Sequence, residues 1–131
     1  MIIVLDSNEY INYLSKKNLL LDEITRNDKL TIHINETITK EVLNNINEQL
    51  KKRFYDFLFT NNIVTYDQKL PFGLLKKHKK LGLKKGDIAI ASFCESVEAD
   101  YLVTENRHFL KSRKFEKFEV LSLKEFLMKL K

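Results

Sequence analysis

The chain has 131 residues, 44% of them hydrophobic and 31% charged, enough for one well-buried core and too few for two ordinary domains, so residues 1–131 are read as one domain. No stretch approaches the ~18 apolar residues of a membrane-spanning helix, and Met1 leads into a strand-like run with no basic segment before it, which favours a soluble cytoplasmic protein. The 23 Lys and Arg against 18 Asp and Glu leave a formal +5, which permits a polyanionic partner without demanding one. Cys94, the single cysteine, excludes an internal disulfide and a cysteine zinc pair, and reads as a buried apolar residue.

In chain order, Ile2 to Leu5 is an apolar, largely β-branched run, short enough for a strand buried on both faces. Asp6-Ser7-Asn8 supplies capping residues for a helix with Tyr10, Ile11 and Leu14 on one side. A second helical patch covers Leu19 to Ile24, and Thr31 to Ile34 reads as another strand. Asn35 then caps a helix whose apolar positions Ile38, Val42, Ile46, Leu50, Phe54 and Phe57 recur at helical spacing, as one helix or a pair reaching Thr60. The Phe54, Phe57, Phe59 group reads as core rather than as a base-stacking platform.

Ile63 to Tyr66 is a third strand, and Pro71 with Gly73 marks a break. From Lys76 to Lys85 the chain carries six lysines and no acid, a solvated face or a phosphate-binding one. Asp87 to Val97 is too apolar for a surface helix and is expected in the core. Tyr101 to Val103 forms the fourth strand, Arg107 to Leu110 a helical turn, Glu119 to Ser122 the fifth strand, and Lys124 to Leu130 a closing amphipathic helix. Asp100, before the fourth strand, is read as a turn residue, and His33 and His78 have no histidine partner at ligand spacing.

Such alternation favours a parallel sheet with helices on both faces, and these sheets place ligands beyond the carboxyl ends of their strands. Asp6 follows the first strand, and Glu105 and Asn106 follow the fourth, so both groups should emerge at one edge. Glu41, one turn into the helix after the second strand, and Asp87, opening the helix before the fourth, can converge there. Carboxylates gathered in this way repel one another unless a cation offsets them. Hard Mg2+ or Mn2+ suits oxygen donors and phosphate substrates. The bland alternatives are that Asp6 and Asp87 only cap helices and that Glu41 is simply solvent-exposed.

At these residues the chain resembles the PIN-domain family, which includes VapC-type toxin ribonucleases. The matching pieces are Val4-Leu-Asp-Ser-Asn8, Ile38-Thr-Lys-Glu41-Val-Leu43, Gly86-Asp87-Ile-Ala-Ile-Ala91 and Ala99-Asp-Tyr-Leu-Val-Thr104-Glu-Asn-Arg-His-Phe109. Each is weak alone, but four in order span positions 2 to 122. The resemblance implies a three-layer α/β/α fold around a central, mainly parallel five-stranded sheet. It implies that Asp6 and Asp87 are direct or water-mediated metal ligands, that Glu41 completes the pocket or orients water, that Asn8 holds the Asp6 carboxylate, and that Thr104 lines the site. Many members carry an aspartate where this chain has Asn106, which brings no charge and lowers the expected affinity for a second ion. Glu105 is a substitute ligand, although its neighbour on an extended segment points the other way.

The favoured reading is a Mg2+- or Mn2+-dependent endoribonuclease acting on single-stranded or loop RNA, with Lys84, Lys85 and Arg107 binding phosphates, joined by Lys76 to Lys80. The resemblance adds the toxin of a toxin–antitoxin pair, an antitoxin partner, and a homodimer formed through helices, with Phe54 to Phe59 as a candidate surface. A second reading is a catalytically impaired module that binds RNA or protein, motivated by Asn106. A phosphoaspartyl receiver or phosphatase is disfavoured, because position 8 is Asn and no acidic pair precedes Asp6.

Overall fold

In a computed structural model of the chain, which describes residues 1–112 and 115–131, five strands form one sheet in the order β3-β2-β1-β4-β5. The strands are β1 (Ile2–Leu5), β2 (Thr31–Asn35), β3 (Val64–Tyr66), β4 (Tyr101–Val103) and β5 (Glu119–Leu121). Every pairing is parallel, with Val4 opposite His33 on one side and Leu102 on the other. The chain steps outward from β1 to β3, then returns to build β4 and β5 on the opposite flank. That reversal lies between β1 and β4, where doubly wound sheets open a crevice at their carboxyl edge.

Among the described residues, eight helices connect and cover the strands in a three-layer α/β/α arrangement. The first four are α1 (Ser7–Leu14), α2 (Leu21–Thr25), α3 (Glu36–Asn44) and α4 (Glu48–Thr60). The rest are α5 (Phe72–Lys79), α6 (Lys85–Ser96), α7 (Arg107–Ser112) and α8 (Leu123–Leu130). Ile3, Val4 and Leu5 are fully buried, as a central strand covered on both faces requires. None of the described helices is long and apolar enough to cross a membrane.

Side-chain caps decide where several helices begin. Asn35 Oδ1 accepts from the Ile38 amide at 3.0 Å, and Asn47 Oδ1 accepts from Leu50 at 3.0 Å. The second of these caps breaks the long periodic stretch into the pair α3 and α4, because Asn47 satisfies the first turn of a new helix. Ser122 and Glu125 form a reciprocal capping box at the start of α8. The lysine-rich stretch is itself helical up to Lys79, then turns at Gly82, whose φ of +83° strains a residue with a side chain.

Two expectations for buried groups separate. Cys94 is fully buried, and Phe54 and Phe57 pack into the core. Phe59 does not: it is 87% exposed, because it lies on the side of α4 that faces away from the sheet. Asp100 accepts from the Ile2 amide at 2.8 Å, at the amino edge of the sheet.

Candidate metal centre

Asp6 stands at the junction of β1 and α1 and is 4% exposed. Its backbone is fixed from the sheet, since its amide donates to the Val103 carbonyl at 2.9 Å. Its carboxylate is fixed from two sides. Oδ1 accepts from the Ser7 amide at 2.8 Å, and Oδ2 accepts from the Thr104 hydroxyl at 2.6 Å. Thr104 is fully buried, and its own oxygen accepts from the Asn106 amide at 2.9 Å. Each Asp6 oxygen still has a lone pair free for a cation.

Glu41 reaches the same edge from α3. The Ser7 hydroxyl hydrogen-bonds its half-buried carboxylate, and burial raises its pKa, as do the nearby charges of Asp6 and Asp87. Gly86 makes room for it, because a Cβ at that position would sit 3.2 Å from Glu41 Oε1. Any larger residue there would have to push the carboxylate aside. Asp87, in the first turn of α6, is also raised by burial and by Asp6. His108, Lys84 and the hydrogen bond from Asn106 work in the opposite direction.

The structure thus brings together Asp6, Glu41, Asp87, Thr104 and Asn106, with Asp6 common to the electrostatic coupling. Asn106 occupies a hinge between two elements: Nδ2 donates to Asp87 Oδ1 at 3.2 Å, and Oδ1 accepts from the His108 amide at 2.9 Å, capping α7. Glu105 turns the other way. It is exposed, and its Oε1 accepts from the Leu123 amide at 3.0 Å, at the start of α8, so the extended backbone sends neighbours 105 and 106 to different targets. Asn8 is likewise exposed, and the hydrogen bonds holding the Asp6 carboxylate come from Ser7 and Thr104 instead. Lys84 precedes α6 within electrostatic reach of Asp87, while Lys85 and Arg107 are exposed on the flanks.

Two functional candidates escape a reading of the sequence. Ser7 is read from the sequence only as one of three capping residues, yet it steadies Asp6 with its amide and Glu41 with its hydroxyl. Glu9 is more unusual: it is 4% exposed, its Oε1 meets no hydrogen-bond donor, and its pKa is pushed up to about 8 by burial, then by Glu105 and Asp6. The pattern Asp6-Ser-Asn-Glu9 matches a capping box, in which Glu9 would accept from the Asp6 amide. The sheet already uses that amide, so the box cannot close.

The donor set is all oxygen, half-buried and short of positive charge, which suits a hard divalent cation that retains some of its waters. Among the described residues, no three or more His, Cys, Asp or Glu side chains are drawn into a ligating group. The charge of Asp6 perturbs both Glu41 and Asp87.

No protein-family model and no curated protein matches the chain. Among solved structures, it is similar to VapBC2 from Rickettsia felis bound to a DNA fragment from their promoter. That match has 22% identity and a TM-score of 0.68, covering 93% of this chain and 98% of the other. It is also similar to VapBC-1 from nontypeable Haemophilus influenzae, with 19% identity and a TM-score of 0.68, covering 95% of this chain and 99% of the other. A likeness that runs through nearly all of both chains at such low identity is a likeness of fold, and the chain has the three-layer α/β/α PIN-like fold.

Proposed function

We propose that the chain is a divalent-metal-dependent endoribonuclease that hydrolyses phosphodiester bonds in single-stranded or loop RNA, as the toxin of a toxin–antitoxin pair. The observation that carries this reading is the convergence of Asp6, Glu41 and Asp87, from three separate elements, beyond the carboxyl ends of β1 and β4. The shared fold with two VapBC assemblies supports the toxin role and an antitoxin as partner. A second copy of the chain and a cytoplasmic location belong to the same proposal.

Asp6 and Asp87 would hold Mg2+ or Mn2+, directly or through water, with the Asn106 amide beside them. Bound there, the cation supplies charge against the phosphate oxygens and acidifies water for attack on phosphorus. The chain's own residues do the positioning. Thr104 and Ser7 fix the orientation of Asp6. In this reading Glu41, steadied by Ser7, would accept a hydrogen bond from the attacking water, and Lys84, Lys85 and Arg107 would offer positive charge to the RNA backbone. Hydrolysis forms a bond from the water oxygen to phosphorus and breaks the bond to the leaving ribose oxygen, without a Ser or Cys nucleophile.

The test is cleavage of an unstructured RNA and a hairpin RNA by the full chain in Mn2+, Mg2+ or EDTA. Asp6→Asn and Asp87→Asn are expected to lower the rate at least ~100-fold, the upper end of what loss of a metal-site supporting group costs. Cleavage that survives EDTA and both substitutions sinks the reading. One observation favours a second reading, an impaired RNA- or protein-binding module: the Asn106 oxygen is already engaged by the His108 amide and brings no charge. Binding of RNA without cleavage in any metal would select it.

A further inference from the structure

On the outer flank of the helix that carries Asp87, α5 and α6 enclose an open groove of about 670 Å³. Its apolar floor is Phe72, Leu75, Ile88 and Ala89, and its rim is Lys76, Lys79, Lys80 and Lys85. Phe72 is 77% exposed, a large aromatic with no burial to justify it. The lining contains no acid, and among the described residues none of the four rim lysines forms an ion pair. Lys77 and His78, on the other side of α5, bind Glu95, so the helix divides its basic groups between an internal contact and this open face.

From this face we infer that the groove is a subsite for unpaired nucleotides, in which Phe72 stacks a base and the rim lysines bind flanking phosphates. Charge complementarity selects the occupant. Four unpaired lysines around an apolar floor suit a strand that alternates anions with flat apolar rings, and a duplex cannot offer its base faces to Phe72. A second copy of the chain is a poor fit, because two such faces would set lysines against lysines. The groove also lies next to the proposed chemistry. Lys85, Ile88 and Ala89 share the opening turns of α6 with Asp87, so groove and carboxylate are separated by about one helix width, roughly 10–12 Å. The inference rests on the RNA-hydrolysis reading and adds to it a separate subsite that stacks an unpaired base.

The test is fluorescence anisotropy in EDTA with the full chain and three labelled probes: a ten-nucleotide oligouridine, an abasic ribose-phosphate strand of equal length, and an RNA duplex. Phe72→Ala is expected to weaken oligouridine binding about tenfold or more, leaving the abasic strand and duplex unchanged. Phe72→Trp restores it. Replacing Lys76, Lys79 and Lys80 by Gln weakens all three probes and lowers the salt slope for oligouridine by about two. Unchanged oligouridine affinity in Phe72→Ala overturns the inference, as does an equal loss on the abasic strand. A change of oligomeric state in light scattering assigns the face to self-association, and Phe72-dependent capture of an acidic amphipathic peptide without oligouridine binding assigns it to a protein partner; both overturn it. Wild-type Mn2+-dependent cleavage, measured in parallel, separates the two readings. Cleavage that continues while Phe72 proves irrelevant removes only the groove, and Phe72-dependent binding without cleavage removes only the hydrolysis.

Discussion

Two glutamates, one on α1 and one on α6, sit in opposite electrostatic settings. Glu95 lies in the seam between α5 and α6, where Lys77 Nζ approaches at 2.6 Å and His78 Nε2 at 3.1 Å. Burial alone would raise its pKa, but those two hydrogen bonds and the adjoining positive charge outweigh it and hold the group below its usual value. Glu9 has burial without the partners, and the nearest charges are the acids Glu105 and Asp6. A carboxylate with a structural job is neutralised within the chain. Around Asp6 the pKa values of Glu9, Glu41 and Asp87 are all raised, with Lys84 and His108 offsetting only Asp87, the condition a divalent cation relieves.

The contrast predicts opposite responses to pH. The folded pKa of Glu9 lies above its unfolded value, so its contribution is fully present below about 4.5 and is lost as the pH rises towards about 8. In metal-free buffer at pH 8.5, Glu9→Gln should therefore stabilise the fold by roughly 2–5 kcal/mol, read as a rise in urea midpoint and a flatter pH profile. A variant no more stable than wild type at that pH removes the contrast. Glu95 has the reverse sign: its contribution is present above the unfolded value and is lost as the pH falls through the lowered folded one. Glu95→Gln should cost about 1–3 kcal/mol at pH 7 and remove that acid limb.

Smaller changes sharpen the comparison. Asn106→Asp adds a charge beside Asp87 and should tighten Mn2+ binding about tenfold in calorimetry; unchanged affinity would show that position 106 acts only as a cap. Lys77 is half exposed, so Lys77→Met should cost under about 1 kcal/mol, leaving His78 to hold Glu95. An effect as large as that of Glu95→Gln would mean that the histidine contributes little.

The frame was readable because periodicity and capping chemistry are local. Ile2 to Leu5 could hardly be anything but a buried strand, and Asp6, Asn35 and Asn47 each open a helix by accepting from an amide one or three residues further on. The strand after Asn62 is shorter than its apolar run suggests, beginning at Val64, and α6 begins at Lys85, two residues before the expected Asp87. Asp6 was placed at the carboxyl edge by its strand end, and Glu41 and Asp87 by the helices that follow the second strand and precede the fourth; the charge of Asp6 reaches both. What lay beyond reach were directions set by tertiary contacts. Glu105 and Asn106 exchange prominence because Leu123 and His108 offer amides on different sides, and Glu9 fails as a cap because Val103, 94 residues along the chain, claims the Asp6 amide. Phe72 sits in the break before the lysine run, and the face it shares with those lysines becomes visible only when α5 packs beside α6.

The hydrogen bond from Thr104 to Asp6 spans 98 residues, and it dates the site as well as holding it. β1 comes before β4 in the chain, so its flank towards β4 stays open until residues 101 to 103 arrive. At about 5–20 residues per second, a nascent chain spends several seconds with Asp6 and Glu41 made and the crevice unfinished. The parallel pairing that closes it is non-local and correspondingly slow. The order of the strands therefore leaves this carboxyl edge incomplete until β4 has been made and paired.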